Sequence, residues 1–381
     1  MRIVHTCLRY PPASGGVETY AQGIVERTRN IEARCDVRVI TSRLRTHGPV
    51  SELDPALLLD EPLYVQRLHH AATPFLSYPR LEALSYYIGH HQPTILESYS
   101  FWYQPADVTA QYARRYHIPF IFHPMYYENE LRQKTIWQLY KKTIGHRTFA
   151  AADVVVVISP QEKELIQLAH LPVKRFELIP PGINTNDAST PRLNPFLKRG
   201  VRGKIILSVS RLASGKKLED AIMALSASLK ANPDAQLVFI GEDFGSQPSL
   251  ETLASSRGIS QHVHFFGNVS HDELMAAYQH ADILLHTSEY EAFGITVAES
   301  LAAGTPVIVR RVGAIPFVAP EGLTSLQFNT ADEIPELINT LLADTNLRQR
   351  LGNQGQQHIQ KNFTWEKSIK KLVNLYDELS Q

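Results

Sequence analysis

Residues 281–300, ADILLHTSEYEAFGITVAES, contain a complete strand-to-helix segment. The apolar run at its start predicts a buried strand, and the pattern at its end predicts a helix. Glu291 and Glu299 lie in this segment with seven residues between them, and Gly294 lies between the two. A glycine at a helix start permits close backbone approach, and free N–H groups there attract an anion. The segment therefore predicts a ligand site at the carboxyl end of a strand.

Similar apolar runs alternate with helical patterns along the whole chain, which predicts parallel sheets with crossover helices. We expect strands at residues 2–7, 36–41, 63–68, 94–99, 119–124 and 153–159, and again at 204–210, 235–241, 263–269, 282–288 and 306–311. Residues 177–203 separate the two sets and lack periodicity, so we interpret them as a domain linker. The predicted fold class is α/β, with two doubly wound, Rossmann-like domains and a ligand cleft at the carboxyl ends of their strands.

Composition excludes several classes of protein. The chain has 381 residues, which is too many for one ordinary core. Lys+Arg and Asp+Glu both number 38, so the net charge is zero, and we expect no nucleic-acid partner. Two cysteines do not form a disulfide framework, and neither a signal peptide nor a long apolar run is evident. We therefore expect a cytoplasmic protein.

Two further motifs follow predicted strands. In SGGVETY, Gly15 and Gly16 permit a tight turn ahead of a helix, although a plain turn explains them as well as a phosphate loop does. In SVSRLASGKK, Arg211 and Lys216 lie on a loop where two cations could hold a diphosphate. The alternative for this second motif is a solvated loop with surface charges.

The two glutamates suit hydroxyl groups, because a carboxylate accepts two hydrogen bonds from the vicinal hydroxyls of a sugar or a ribose. Glu291 is predicted in the loop ahead of the helix, and Glu299 about a turn and a half inside it. The alternative is that Glu291 only favours the helix N-terminus and that Glu299 is a solvated helix residue.

The motifs GGVE, SRLASGKK and EAFGITVAE, the last an E-x7-E pattern, resemble those of the retaining GT-B-fold glycosyltransferases of family four, glycosyl transferases group 1. The resemblance covers essentially the whole chain. It implies an acceptor-side domain at residues 1–188, a donor-side domain at 200–363, and a terminal helix at 364–381 that crosses back to complete the first domain. It also implies a hexosyltransferase-type enzyme (EC 2.4) of polysaccharide or glycoconjugate biosynthesis. Such an enzyme moves a sugar from a UDP- or GDP-sugar to a saccharide, lipid-linked or small-molecule acceptor.

The resemblance also implies residue roles. Arg211 and Lys216 neutralise the nucleotide diphosphate, Glu291 accepts donor-sugar hydroxyls, and Glu299 accepts ribose hydroxyls. His123 matches a family histidine near the donor sugar, although a lone histidine is equally compatible with a structural role. Further donor contacts are implied for Gly15, Gly16, Gly241, Glu242, Asn268, Val269, Phe293, Gly294 and Ile295.

Metal and cofactor requirements follow from what the chain lacks. It contains no D-x-D sequence. Metal-dependent sugar transferases of the other common glycosyltransferase fold use that motif to hold Mn²⁺ or Mg²⁺. A basic pair and a helix N-terminus can neutralise the diphosphate instead. We therefore expect no metal and no cofactor besides the nucleotide-sugar substrate.

Some alternatives stay open. A nucleotide-sugar epimerase of the same fold would need additional acid or base residues, which the motifs do not supply. A non-catalytic nucleotide-sugar-binding subunit is the other rival, and the intact motif residues argue against it. The segment 131–147 mixes cations with apolar residues, which fits an ordinary surface helix or a peripheral contact with the inner face of a membrane. The oligomeric state is not predicted.

Overall fold

A computed structural model describes residues 1–13, 15–31, 35–45, 52–71, 78–127 and 134–380. The chain divides into two compact units. Unit 1 consists of Met1–Pro181 with Trp365–Gln381, and unit 2 of Gly182–Thr364. Each unit is organised around its own parallel sheet, which is the α/β class that the alternating pattern predicts.

Unit 1 combines a large sheet with helices from the chain's first half. Its strands are β1 (Arg2–Thr6), β2 (Asp36–Ser42), β3 (Val65–Leu68), β4 (His70–Ala71), β5 (Arg80–Leu81), β6 (Ile95–Tyr99), β7 (Phe120–His123), β8 (Val154–Val157) and β9 (Phe176–Leu178). Its helices are α1 (Gly16–Ile31), α2 (Leu84–His90), α3 (Gln104–Tyr116), α4 (Lys134–Tyr140), α5 (His146–Ala151) and α6 (Pro160–Leu168), with a 3₁₀ turn at Pro55–Leu58 and a π-helical turn at Lys141–Gly145. Seven strands pair in parallel in the order β3-β2-β1-β6-β7-β8-β9, and β4 pairs with β5 as a separate antiparallel ribbon.

Unit 2 is a Rossmann-type domain. Its strands are β10 (Lys204–Val209), β11 (Ala235–Ile240), β12 (Val263–Phe265), β13 (Ile283–His286), β14 (Val307–Arg310) and β15 (Ser325–Phe328). Its helices are α7 (Thr185–Ser189), α8 (Pro195–Lys198), α9 (Leu218–Ser228), α10 (Gln247–Ser256), α11 (His271–His280), α12 (Ile295–Ala302), α13 (Ile315–Val318), α14 (Ile334–Ala343) and α15 (Thr345–Asn362), with 3₁₀ turns at Ser214–Lys216, Ser260–His262 and Ala331–Glu333. The strand order β12-β11-β10-β13-β14-β15 reverses direction between β10 and β13, the topological switch point where such sheets bind ligands.

The expected strands are all present, each within one to four residues of its predicted ends. Sequence analysis missed β9, β15 and the β4–β5 ribbon, because these are runs of two to four residues with too few apolar positions to show a pattern. The long apolar runs were predictable because both faces of a central parallel strand are covered, as in β8, where all four valines are buried.

The predicted linker at residues 177–203 is wrong in part, since it contains the end of β9 and the helices α7 and α8. Residues 182–188, expected in the first domain, belong to unit 2, where α7 packs against α11 and α12. The asparagines that indicated a loop are helix caps. The Asn184 side chain accepts from Asp187 N, and the Asn194 side chain accepts from Phe196 N.

The last helix, α16 (Trp365–Leu379), belongs to unit 1 and packs on α1. The Trp365 ring stacks on Tyr20 at 6.3 Å, and a Cβ at Gly23 would lie 2.2 Å from the same ring. Only glycine at position 23 therefore admits the tryptophan. Ser368 Oγ donates to the Pro180 carbonyl at 2.7 Å, which ties α16 to the end of the preceding part of unit 1.

Among the described residues, no helix has both the length and the apolar character required to cross a bilayer.

Candidate functional site

Two loops at the carboxyl ends of neighbouring strands form the candidate site in unit 2. One follows β10 and contains the 3₁₀ turn Ser214–Lys216, and the other follows β13 and ends at Gly294. Thr287 Oγ1 donates to the Lys216 carbonyl at 2.7 Å, and Glu289 N donates to the Gly215 carbonyl at 3.2 Å. These bonds hold the two loops together at the switch point of the sheet.

Glu291 is held at the centre of this site. Its Oε2 accepts hydrogen bonds from Lys216 Nζ at 3.2 Å and from His286 Nε2 at 3.1 Å. Burial works to raise the pKa of Glu291, but the hydrogen bond from His286 and the charge of Lys216 overcome it and lower the pKa to about 2. The side chain is 20% exposed, and within the described residues its Oε1 accepts no hydrogen bond. Glu291 is thus an ionised carboxylate with one open acceptor oxygen.

The start of α12 adjoins Glu291. Gly294 precedes the helix with φ +92°, a left-handed conformation that favours glycine, and a Cβ there would lie 2.8 Å from Ile315 Cδ1. The first N–H groups of a helix such as α12, which begins at Ile295, have no partner within the helix. The Phe293 ring is buried and packs on Phe363 at 5.6 Å, so only the backbone of Phe293 can meet a ligand.

Glu299 has a different environment from Glu291. Its Oε2 accepts from the Tyr278 hydroxyl at 3.1 Å. Burial raises the pKa of Glu299 to about 7, and the hydrogen bond from Tyr278 only partly opposes this shift. His271 and Asp187, which pair with each other at 2.5 Å, are the other charged groups that influence it. Glu299 is therefore a carboxyl group that changes its protonation state near neutral pH.

Arg211 lies in the first loop but is not joined to the Glu291 cluster. Its side chain is exposed, and its guanidinium carbon lies 5.4 Å from the centre of the Phe244 ring. No ion pair of Arg211 is found in the part of the chain that the structure describes. The neighbouring cation Lys217 differs, since its Nζ pairs with Glu289 at 3.2 Å. Arg211 thus offers an unneutralised charge at this edge of the sheet, whereas Lys217 does not.

Four of the predicted donor contacts, Gly241, Glu242, Asn268 and Val269, lie after the ends of β11 and β12. Gly241 has φ +143°, and a Cβ there would lie 2.0 Å from the Ser210 carbonyl oxygen, so glycine is required where the two strand ends meet. The Glu242 carbonyl accepts from Leu212 N at 2.9 Å. Asn268 is exposed and Val269 is half-buried in the loop ahead of α11. These residues occupy the carboxyl edge of the sheet, on the other side of β10 from Glu291.

In unit 1, Gly15 and Gly16 form the start of α1 as expected. Glu18 is buried, its Oε1 accepts from Arg9 Nε at 2.7 Å, and its carboxylate lies over Gly15, where a Cβ would come within 2.2 Å of Oε2. A carboxylate near a helix N-terminus is favourable. Gly15 thus makes room for a side chain of the helix that follows it.

His123 is fully buried in unit 1 and belongs to a second charged cluster. Its Nε2 lies 2.9 Å from Glu97 Oε2, and His5 Nδ1 lies 3.6 Å from the same oxygen. Burial works to raise the pKa of Glu97, but the two histidines outweigh it and lower the pKa; burial lowers the pKa of His5. The Tyr99 ring stacks on His123 at 4.7 Å. This position fits the structural role of His123, and its contact with a donor sugar stays a prediction.

Sequence analysis missed His286, Tyr278 and Glu97. The signal for Glu97 was present, because a carboxylate inside an apolar strand pattern must be paired when that strand is central. His286 and Tyr278 gave no signal, since their roles depend on contacts with Glu291 and Glu299. No group of three or more His, Cys, Asp or Glu side chains that could hold a metal occurs in the described ranges.

Both halves of the chain are similar to known families of sequences. Residues 192–358 match the family model of glycosyl transferases group 1, and residues 15–182 match that of the glycosyl transferase 4-like domain. The D-inositol 3-phosphate glycosyltransferase of Corynebacterium efficiens is 31% identical over 243 residues, which are 60% of this chain and 57% of that protein. The mannosylfructose-phosphate synthase of Agrobacterium fabrum is 28% identical over 257 residues, 62% of this chain and 56% of that protein. The matches thus span less than two thirds of these relatives.

Solved structures show the same fold. Sucrose-phosphate synthase from Thermosynechococcus elongatus superposes with a TM-score of 0.79 at 22% identity, over 99% of this chain and 98% of that one. HepE from Anabaena in complex with UDP superposes with a TM-score of 0.82 at 17% identity, over 99% and 100%. The two family models together cover most of the chain, and both describe glycosyl transferases. The chain therefore belongs to the glycosyl transferases group 1 family and has the GT-B fold.

Proposed function

We propose that the protein is a retaining glycosyltransferase that moves a sugar from a UDP- or GDP-sugar to a saccharide, lipid-linked or small-molecule acceptor. The observation that carries the proposal is the Lys216–Glu291 contact of 3.2 Å beside the start of α12. A cation and a helix N-terminus together suit a diphosphate, and the open Oε1 of Glu291 suits a sugar hydroxyl.

Named relatives support the donor class. The curated relatives described above carry glycosyltransferase or sugar-phosphate synthase names. HepE, whose fold this chain shares, has been solved with UDP and with UDP-glucose. We therefore place UDP and UDP-glucose first among the ligands to be tried.

The proposed reaction needs no metal and no separate base. The bond between the sugar C1 and the diphosphate oxygen breaks, while a bond from the acceptor oxygen to C1 forms on the same face. The acceptor proton passes to the leaving phosphate oxygen. Lys216, Arg211 and the N–H groups at Gly294 and Ile295 stabilise the charge that develops on the diphosphate, which is preorganised electrostatic catalysis.

Binding of nucleoside diphosphates tests this proposal. UDP, GDP and ADP are added with EDTA present, and the melting temperature is followed. A ligand at 100 times its Kd stabilises the folded protein by about 2.7 kcal/mol. The proposal predicts stabilisation by at least one of them in EDTA, together with slow hydrolysis of the matching sugar nucleotide. Stabilisation that EDTA abolishes would refute metal independence, and binding without hydrolysis or transfer would favour a non-catalytic subunit. Conversion of the donor to its epimer would favour an epimerase.

We also propose a peripheral contact with an anionic membrane, at the surface that α3, α4 and α5 share. In the sequence ranges 104–116 and 134–151 the only acid is Asp107. Asp107 is buried and accepts hydrogen bonds from Tyr140 at 2.9 Å and from Thr148 at 2.5 Å, so the exposed charged side chains of these two ranges are all cations. A chain of zero net charge therefore presents one cationic surface here.

This surface also has a groove and exposed apolar side chains. A cavity of about 520 Å³ is lined by three cations, one acid and apolar or polar side chains, among them Arg114, Arg115, Arg147, Asp107 and Ile144. Leu139, five residues before Ile144 in the sequence, is 63% exposed. Cations attract anionic headgroups, and apolar side chains enter the interface. Residues 131–133 of the predicted membrane-contact segment lie outside the described residues.

Vesicle binding tests the membrane contact. Co-sedimentation is measured with phosphatidylglycerol and with phosphatidylcholine vesicles, for the wild type and for a variant in which Arg114, Arg115 and Arg147 are all changed to Glu. We expect binding to the anionic vesicles only, and its loss in the variant. The matched control changes exposed cations of unit 2 to Glu, namely Lys230, Arg257 and Arg350. Equal losses in the variant and the control would contradict a specific surface.

A further inference from the structure

His286 ends an otherwise aliphatic buried strand, Ile283–His286. The side chain is 5% exposed, and its Nδ1 is buried with no hydrogen-bond partner among the described residues. A buried polar atom without a partner is unfavourable, so an apolar residue would pack here at lower cost. Packing alone does not explain a histidine at this position.

The other ring nitrogen supplies the explanation. His286 Nε2 lies 3.1 Å from Glu291 Oε2 and 3.3 Å from Ser288 Oγ. Since an ionised carboxylate only accepts, Nε2 carries the proton and donates to Glu291, and this assignment of the tautomer follows from the partner. Glu291 Oε2 therefore has two donors, His286 and Lys216, and both lie on the same oxygen.

We propose that His286 is a positioning residue, which fixes Glu291 so that Oε1 alone faces the donor sugar. The inference rests on the proposed function of Glu291. Lys216 cannot do this work alone, because in the proposed reaction its charge turns to the diphosphate when the donor binds. His286 has no competing anionic partner in the described part of the chain. It is the donor that stays on Oε2 and keeps the partly exposed carboxylate oriented during transfer.

Two substitutions separate this role from packing. His286→Leu introduces an apolar side chain of similar size and removes the donor. His286→Gln places an amide N–H near the position of Nε2. The readout is hydrolysis of UDP-glucose, GDP-mannose and ADP-glucose, with the kinetics measured on the one that the wild type hydrolyses fastest. We expect His286→Leu to lower kcat roughly tenfold to hundredfold, the range of a hydrogen bond to a charged group. His286→Gln should recover kcat to within about threefold of the wild type.

A double-mutant cycle shows whether His286 acts through Glu291. In a Glu291→Gln background, His286→Leu should change kcat by less than about threefold, because the group to be positioned is already altered. The Kd of UDP should also change by less than about threefold, since UDP has no sugar for Glu291 to hold. A purely structural residue would instead cause the same loss in both backgrounds, and Gln would fail to rescue. That result would overturn the inference.

Ring ¹⁵N NMR gives a second measurement when turnover of the double variant is too slow to follow. The His286 signal, assigned by its loss in His286→Gln, should show the Nε2–H tautomer and should shift in Glu291→Gln. An Nδ1–H tautomer, or a signal that Glu291→Gln leaves unchanged, would overturn the inference. A wild type that hydrolyses none of the three donors would instead refute the proposed function, and the inference would fall with it.

Discussion

Glu97 lies in the middle of β6 in unit 1, and Glu291 lies in the loop after β13 in unit 2; each has a histidine nitrogen within 3.1 Å. The Glu97 side chain is 0% exposed, and that of Glu291 is 20% exposed. Over the Glu97 cluster, the Tyr20 ring packs edge-on to His123 at 5.7 Å, and Trp365 of α16 stacks on Tyr20. The Glu291 side chain is less completely covered, since 20% of it stays exposed. Similar clusters of a carboxylate and a histidine can therefore take different roles, according to how completely other side chains cover them.

The two glutamates should differ most in what they contribute to the stability of the folded protein. Glu97→Ala leaves two buried histidines without their anion, and removing one partner of a buried pair costs about 3–5 kcal/mol. Glu291→Ala should cost less than this, because the Lys216 and Glu291 side chains are both partly exposed to water. Chemical denaturation with probes in each unit measures both variants. Equal losses at the two positions would contradict the difference in burial.

Lys216→Ala should weaken binding of the diphosphate at the cluster of Lys216, His286 and Glu291. The diphosphate loses a charge-assisted contact worth roughly 1.5–3 kcal/mol, whereas uridine loses none. The measurement is the Kd of UDP and of uridine by calorimetry. Lys217→Ala is the matched control, because Lys217 is paired with Glu289 at 3.2 Å and should change neither Kd. Similar losses for UDP and uridine would place Lys216 away from the phosphates.

The two glutamates of the E-x7-E pattern should bind different parts of the ligand. Glu299→Gln should weaken UDP by about 1–3 kcal/mol, because the ribose is present whether or not a sugar is attached. Glu291→Gln should leave UDP binding nearly unchanged and lower turnover of the sugar nucleotide. Calorimetry and donor hydrolysis on both variants decide this. The reverse pattern would exchange the two assignments, and no effect in either variant would remove the main support of the proposed function.

The smallest expected effect is on pH dependence. The pKa of Glu299 is raised to about 7, so the ionised carboxylate, the better acceptor for ribose, forms as pH rises through that value. Affinity for UDP-glucose should therefore increase between pH 6 and pH 8, two values within about one unit of that pKa. This ligand is suitable because both of its phosphates are esterified and do not titrate there. Glu299→Gln should abolish the dependence. Tyr278→Phe removes a hydrogen bond that lowers the pKa of Glu299, so the midpoint of the pH dependence of binding should move to higher pH in this variant. A shift of the midpoint to lower pH would contradict this account.

The linkage to stability has the opposite sign. A carboxyl group whose pKa is raised in the folded protein favours folding when it is protonated and opposes folding when it is ionised. The contribution of Glu299 should therefore become less favourable as pH rises from its ordinary range near 4.5 to about 7. The free energy of unfolding of Glu299→Gln, relative to that of the wild type, should therefore be higher at pH 8 than at pH 5. These two pH values bracket the window. Chemical denaturation at the two pH values measures the difference.

Much of the fold was predictable because its signals are local. Central parallel strands are apolar on both faces, and that pattern gave the expected strands of both sheets. Elements of two to four residues, such as β9, carry too little pattern. The linker prediction failed at Asn184 and Asn194 because the residues that favour loops are also those that cap helices.

The site was predictable in its parts but not in its contacts. The loops with Arg211, Lys216 and Glu291 were expected at strand ends, and they lie there. The sequence did not indicate that Lys216 would contact Glu291, 75 residues away, or that Arg211 would stand apart from both. Nor did it indicate His286 or Tyr278, whose importance comes from the glutamate that each one contacts.

Periodicity and motif spacing were therefore sufficient for the long strands, the sheet class and the family. They placed His123 and Glu291 alike, each at or just after the end of a strand. Packing then separated them, since α1 and α16 close over His123 while the loop ahead of α12 leaves Glu291 partly exposed. The physical reason is that burial and pKa depend on side chains brought together from distant parts of the chain, and no local pattern records which of them will meet.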